Sequence, residues 1–466
     1  MRFTSSLTIT PKWLCLRSLL LLVLSANTAF CGELVKSLPG FDGQLPFKLQ
    51  TGYVSVNDSE LFYYFIESQG DPETDPFFFW FSGGPGCSSF NGLAYEIGPI
   101  QFDIDNYNGG LPRLLYYPYT WTETASFVFV DSPVGTGFSY STSSNWKSSD
   151  TLSAEQAYQF VRKWLEEHPK YLHLRLFIGG DSYSGMIVPL ITQKIVLGND
   201  AGLKPHLNLT GYLVGSPITD MYLNSNSRFI LAHRLALISD QLYEKLKSSC
   251  KEDYVYVDPN NTACQTAISQ YEKNVQEIWS NNILVPNCAF ASRNPYGQRR
   301  LQKPHQKLSS DLWCWAFNYT LSYHWANDPS VQEALHVREG KVKYWERCNQ
   351  TMSESYIYDV ETVVEVHRWL SRRKLEVLVN GGDRDLVVPY VATDTWLKIL
   401  NLTVSSQWRP WYVDDQVAGY TRKYDEETNG FRLTYATLKG AGHTAPEYSR
   451  KQCYEMFQRW LHFYPL

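Results

Sequence analysis

From Leu174 to Ile178 five mostly apolar residues lead into Gly179-Gly180-Asp181-Ser182-Tyr183-Ser184-Gly185, and Met186-Ile187-Val188 then opens a second apolar run. Small residues between two such runs predict a strand, a sharp turn and a helix. A serine at that corner is held clear of the sheet, where a base and a substrate can both reach it. The nucleophile pattern G-x-S-x-G is met except at its last position, which is Ser184. Alone, Gly180–Ser184 reads equally well as an ordinary turn that contains a serine, so its meaning depends on partners elsewhere in the chain.

Other segments repeat the same grammar. Alternation over Gly52–Val56 and Leu61–Ile66, with turn residues Asn57-Asp58-Ser59 between, predicts a hairpin. Pro76–Phe81 and Ser126–Val130 are continuous apolar runs, as expected of strands buried on both faces. Ala154, Ala157, Tyr158, Val161, Trp164 and Leu165 recur at helical spacing before His168-Pro169 stops them. Gly211–Gly215, Leu375–Val379 and Phe431–Leu438 are further strands. Strands alternating with helices predict an α/β fold, a mixed and mostly parallel sheet covered on both faces. Periodicity loosens between Ser216 and Ser371 apart from helical stretches at 239–250 and 262–279. The reading is therefore a core of 32–215 and 372–466 with a mainly helical insertion, or lid, at 216–371.

Three of the strands end in loops that hold catalytic residue types. Ser182 follows the first, Asp383 and Asp385 the second, and His443 the last. Serine, acid, histidine is the chain order of α/β-hydrolases. In that arrangement the histidine takes the serine proton and the acid fixes its tautomer. Asp383 competes with Asp385 for the acid's role, and Asp385 is preferred. Ser82-Gly83-Gly84-Pro85-Gly86 after the Pro76–Phe81 strand places free N–H groups nearby, so Gly84 and Tyr183 are the expected oxyanion donors, each contributing about 3–4 kcal/mol.

Arg2, Lys12 and Arg17 precede the apolar run Leu19–Leu24 and small residues follow, which predicts a cleaved signal peptide over 1–31. Its removal lowers the net charge from −5 to −8. An acidic chain without a basic stripe excludes nucleic acid as the expected partner, and no later stretch predicts a membrane span. Seven cysteines remain, an odd number in an oxidising compartment. Six sequons, at Asn57, Asn208, Asn260, Asn318, Asn349 and Asn401, predict glycosylation. Residues 292–310 carry five cations and no acid; excision of this exposed linker would take the charge to −13.

With these features assembled, the sequence resembles the serine carboxypeptidase family over essentially the whole mature chain. The resemblance rests on Gly-Gly-Pro-Gly-Cys-Ser-Ser at 83–89, Gly-Asp-Ser-Tyr-Ser-Gly at 180–185, Gly-Asp-Arg-Asp at 382–385 and Gly-Ala-Gly-His-Thr-Ala-Pro at 440–446. It implies Ser182, Asp385 and His443 as the triad and an α/β-hydrolase fold. It also implies bridges Cys87–Cys348, Cys250–Cys264 and Cys288–Cys314, a free Cys453, and a two-chain disulfide-linked form if the linker is cut. Peptidase members hold the substrate's terminal carboxylate with an Asn before Gly-Gly and two Glu residues. Here the substrate-binding positions are Ser82, Gly83, Glu96 and Asp181. A serine suits a sugar hydroxyl at least as well as a carboxylate.

Those departures, with Asn226-Ser227-Arg228 and Leu237-Ile238-Ser239-Asp240, resemble the plant acyltransferase branch. That branch moves an acyl group from a 1-O-β-acylglucose donor to an alcohol acceptor and resides in the vacuole; a secreted location is the alternative. An anomeric ester is already activated, so no cofactor or metal is expected. A serine carboxypeptidase is the second reading, and a non-catalytic binding protein on a hydrolase fold the third. Asp181 and Glu96 are expected to share a proton, favouring substrate binding in acid.

Overall fold

A computed structural model of the chain describes residues 32–287 and 315–466. The expected leader at 1–31, the linker at 292–310 and the Cys288–Cys314 bridge lie outside the described residues.

The ten principal strands are β1 (Leu49–Val56), β2 (Ser59–Ile66), β3 (Phe77–Phe81), β4 (Ser126–Val130), β5 (Leu176–Asp181), β6 (Leu209–Gly215), β7 (Glu376–Gly382), β8 (Val404–Val413), β9 (Gln416–Glu426) and β10 (Phe431–Leu438). They lie side by side in the order β1-β2-β4-β3-β5-β6-β7-β10-β9-β8. The six from β4 to β10 run parallel. Antiparallel pairs close both flanks. This is the mixed, mostly parallel sheet that the alternation predicted, in the α/β-hydrolase arrangement that the resemblance implied.

Why the central strands are apolar throughout is visible in their packing. Phe77, Phe79 and Phe81 of β3 enter one hydrophobic cluster with Trp164, while Phe78 and Trp80 enter a second with Phe457. Successive side chains of a strand point to opposite faces, and helices cover both here. The covering helices include α1 (Asp150–Glu167) and α2 (Ser184–Asp200). The insertion contributes α3 (Met221–Arg234), α4 (Asp240–Cys250), α5 (Thr262–Val275) and α6 (Ala316–Ala326); α7 (Tyr390–Leu400) and α8 (Arg450–Leu461) belong to the C-terminal part. Helices α3–α5 share their own cluster, including Phe229, Leu242 and Tyr271, and it reaches Leu386 and Val391 beside β7. The insertion therefore docks on the loop at the end of β7.

Helix α5 stops at Val275, short of the Trp279 expected from periodicity. The β8–β9 hairpin and helices α7 and α8 were not anticipated. Among the described residues no helix is long and apolar enough to cross a membrane.

Candidate active site

Strand β5 delivers Ser182 directly into α2. Ser182 is a non-glycine residue at φ +57°, a conformation that costs on the order of 1–3 kcal/mol and persists only where neighbours enforce it. Its N–H donates to the Gly215 carbonyl at 2.8 Å, and its carbonyl accepts from Ile218 N–H at 3.0 Å. Both partners lie on or just after β6, so the parallel neighbour fixes the turn. Ser182 stays partly accessible between buried Asp181 and Tyr183.

His443, in the loop after β10, brings Nε2 to 2.7 Å from Ser182 Oγ. Its Nδ1 lies 2.8 Å from Asp385 Oδ2. Asp385 is fully buried, and its Oδ1 accepts from the N–H groups of Val387 and Val388 at 2.8 and 2.9 Å. The competitor Asp383 faces elsewhere: its Oδ1 accepts from Gly440 N–H at 2.7 Å and so ties the β7 loop to the histidine loop. Burial lowers the His443 pKa, but the adjoining Asp385 carboxylate outweighs it, aided by Asp181 and Glu447, and holds the imidazole above its ordinary value. This geometry moves a proton from a hydroxyl to a base and stabilises the cation that results.

Sequence reasoning missed a strap across these loops. Residues 280–283, after α5 in the insertion, bond to both: Leu386 N–H donates to Ser280 O, Ile283 N–H to Arg384 O, and His443 N–H to Asn281 O at 2.6 Å. The buried Asn282 adds an Nδ2 donation to Gly440 O at 3.3 Å. A Cβ on Gly442 would sit 2.1 Å from Asn281 O, so only glycine lets the strap approach. Asn282→Ala is expected to lower kcat about tenfold, with KM changed less than about twofold, by loosening the histidine loop. Steady-state kinetics beside a thermal-unfolding curve checks this; an unchanged kcat contradicts it.

The Gly84 and Tyr183 N–H groups make no hydrogen bond among the described residues, leaving both available to an oxyanion. A Cβ on Gly83 would lie 2.6 Å from both Ser182 Cβ and Tyr183 N, so this glycine seats the loop on the serine turn. Beside it, Ser82 Oγ and Asp181 Oδ1 are buried without a hydrogen-bond partner. Glu96 is buried too, with its backbone carbonyl accepting from Arg450 Nε at 2.8 Å. No hydrogen bond joins Glu96 to Asp181 among the described residues, but the Asp181 charge is felt at Glu96 and helps to raise its pKa. A third acid, Glu447, was not foreseen, although it lies only four residues beyond His443. Its Oε2 accepts from Trp315 Nε1 at 3.0 Å and from Tyr319 OH at 2.6 Å.

Burial, reinforced by the Glu447 charge and opposed by His443, pushes Asp181 up to about 7. Burial, then Asp181 and Glu447, hold Glu96 well above the ordinary carboxylate range despite Arg450 and Arg347. A carboxyl whose folded-state pKa is raised contributes stability below its unfolded value and loses it as pH rises through the folded one. Asp181 is thus expected to lower the thermal midpoint as pH rises from about 4 to about 7. Asp181→Asn should flatten that fall in a pH series of melting curves. An identical slope in the variant rejects the assignment.

Among the described residues two bridges are present, Cys87–Cys348 and Cys250–Cys264, and Cys453 is free and buried. Asn57, Asn208, Asn260 and Asn401 are exposed, whereas Asn318 and Asn349 are half-buried. Asn349 is also engaged at both side-chain atoms, with Gly135 O and Met352 N–H.

A family model described as serine carboxypeptidase matches residues 39–463. Serine carboxypeptidase-like 16 of Arabidopsis thaliana is 42% identical over 455 residues, covering 97% of this chain and 98% of that protein. Serine carboxypeptidase-like 7 of the same plant is 43% identical over 451 residues, covering 96% and 97%. Among solved structures, Kex1Δp, a prohormone-processing carboxypeptidase of Saccharomyces cerevisiae, superposes with a TM-score of 0.72 over 92% of this chain and 94% of that one. At 17% identity, that likeness speaks for the fold alone.

Proposed function

The chain belongs to the serine carboxypeptidase family, and from that premise we propose that it transfers an acyl group from a 1-O-β-acylglucose to an alcohol through an ester on Ser182. One observation carries the choice of donor: Ser82 Oγ and Asp181 Oδ1 are buried beside the serine turn and unpartnered. A neutral hydroxyl can donate to the carboxyl oxygen and exchange a hydrogen bond with the serine. A peptide's terminal carboxylate would meet there no amide donor of the kind an asparagine supplies.

The steps follow from the distances. Ser182 Oγ attacks the ester carbonyl carbon while its proton passes to His443 Nε2. The carbonyl oxygen, now negative, takes hydrogen bonds from Gly84 and Tyr183 N–H. Collapse breaks the bond to the anomeric oxygen, which leaves as glucose with the proton from Nε2. An acceptor hydroxyl then gives its proton to Nε2 and attacks the acyl-Ser182 ester; collapse returns that proton to Oγ.

A peptidase is the second reading, favoured by Glu96. With its pKa held well above the ordinary carboxylate range by burial, Asp181 and Glu447, Glu96 keeps its proton to higher pH than a free carboxyl, and a terminal carboxylate can accept a hydrogen bond from it. A terminal carboxylate would therefore bind more tightly in acid, where Glu96 and Asp181 are protonated. The same proposal includes a signal peptide, glycosylation at the exposed sequons, and residence in the vacuole.

Initial rates separate the two readings. Purified protein is expected to move acyl groups from acylglucoses to alcohols and to release little amino acid from N-blocked dipeptides. Ser82→Asn should shift that balance towards dipeptide cleavage. Rapid release of C-terminal amino acids without ester exchange would overturn the first reading.

A further inference from the structure

Beside the β7 loop, the β8–β9 hairpin, β10 and α7 line a cavity of about 450 Å³ whose walls include none of the triad residues. That volume lies within the range of small-molecule sites. Its walls combine two kinds of surface. Trp408 of β8 and Tyr420 of β9 stand nearly parallel, 8° apart with ring centroids at 5.8 Å, and are 39% and 42% exposed. Beside them lie two loosely matched ion pairs. Arg384 Nε is 3.5 Å from Asp383 Oδ1, and Arg422 Nη1 is 3.8 Å from Asp394 Oδ1. Both arginine Nε atoms are buried and make no hydrogen bond among the described residues.

Chemistry narrows the ligand. Two arginines and two aspartates line the cavity, and Lys398 Nζ holds the other oxygen of Asp394 at 2.6 Å; every cation here has a carboxylate partner, so no lone cation faces the cavity to select an anion. Unused guanidinium N–H groups donate to hydroxyl oxygens, and carboxylates accept from hydroxyl hydrogens. The exposed aromatic faces offer flat apolar surface to the C–H face of a sugar ring. Neutral rings with many hydroxyls match all three features. We propose that this cavity binds a neutral hexose unit at a site separate from the Ser182 pocket. The hexose can come from a soluble glycoside or from an N-linked glycan. The sequon nearest in the chain is Asn401, which caps α7, the helix that supplies Tyr390 and Asp394 to the cavity.

The test uses the full chain with Ser182 blocked by phenylmethylsulfonyl fluoride, so that binding at the triad does not contribute. Methyl β-D-glucopyranoside is titrated against tryptophan fluorescence and saturation-transfer NMR, before and after enzymatic removal of N-glycans. Saturable binding to the untreated protein supports the proposal with a soluble source. Binding that emerges only after deglycosylation supports it with the attached glycan as source. In either case Trp408→Ala should weaken binding about tenfold or more. Arg422→Lys, which keeps the charge but loses the Nε–H, should also weaken it and serves if Trp408→Ala does not fold. No saturable binding in either preparation, or equal affinity in folded variants, would overturn the proposal.

Discussion

Asp385→Asn is expected to lower kcat for acyl transfer by about 10⁴-fold while the protein stays folded. The carboxylate is fully buried, and its Oδ1 is occupied by the Val387 and Val388 N–H groups. An asparagine can keep those two bonds only by turning its Nδ2 donors towards His443 Nδ1. The imidazole must then accept at Nδ1 and carry its proton on Nε2, where it can no longer receive the Ser182 proton. Asp383→Asn provides the contrast: its carboxylate binds Gly440 N–H and not the imidazole, so kcat should stay within about tenfold. Steady-state kinetics on both variants decides between the acids. Equal losses, or a larger loss at Asp383, would reverse the assignment.

Gly83→Ala is the second large expected effect, and it arises from space rather than charge. The new Cβ would meet Ser182 Cβ and Tyr183 N at 2.6 Å and Asp181 O at 2.8 Å, and two of these three are backbone atoms that cannot swing away. Either the Gly83-Gly84 loop or the serine turn must move, and each carries one of the two oxyanion donors. A loss of about 10²–10³ in kcat is expected, the size seen when one such donor is removed. Overpacking should add about 1–3 kcal/mol of destabilisation. Gly381→Ala is the control, since its Cβ would meet Ser216 Oγ at an ordinary 3.5 Å. Measured kcat and denaturant midpoints for the pair test this; a fully active Gly83→Ala enzyme contradicts the seating of the loop.

The parts of the molecule that were legible in the sequence share a physical cause. Strands β3, β4 and β5 are buried on both faces, so nearly every residue must be apolar, and each ends in small residues that let a loop approach the site. The triad was readable because its members sit at successive strand ends in a fixed chain order. What escaped notice is held by backbone atoms or by distant contacts. The 280–283 strap works largely through carbonyl and N–H groups, which any sequence supplies. The β8–β9 hairpin is half-exposed and broken by register shifts, so Val404–Val413 shows no clean alternation. Glu447 gains its place only when Trp315 and Tyr319 of the insertion meet it. The Glu96–Asp181 pair was foreseen as neighbours, but whether a hydrogen bond joins them is decided by side-chain direction, which spacing does not encode.

Intact-protein mass spectrometry after mixing with a 1-O-β-acylglucose, without acceptor, tests acyl transfer through Ser182 most directly. A mass increase of one acyl group, mapped by peptide analysis to Ser182, absent in Ser182→Ala and discharged when an alcohol is added with formation of the new ester, is the predicted result. No adduct from the glucose ester, together with hydrolysis of an N-blocked dipeptide by the same preparation, would contradict it.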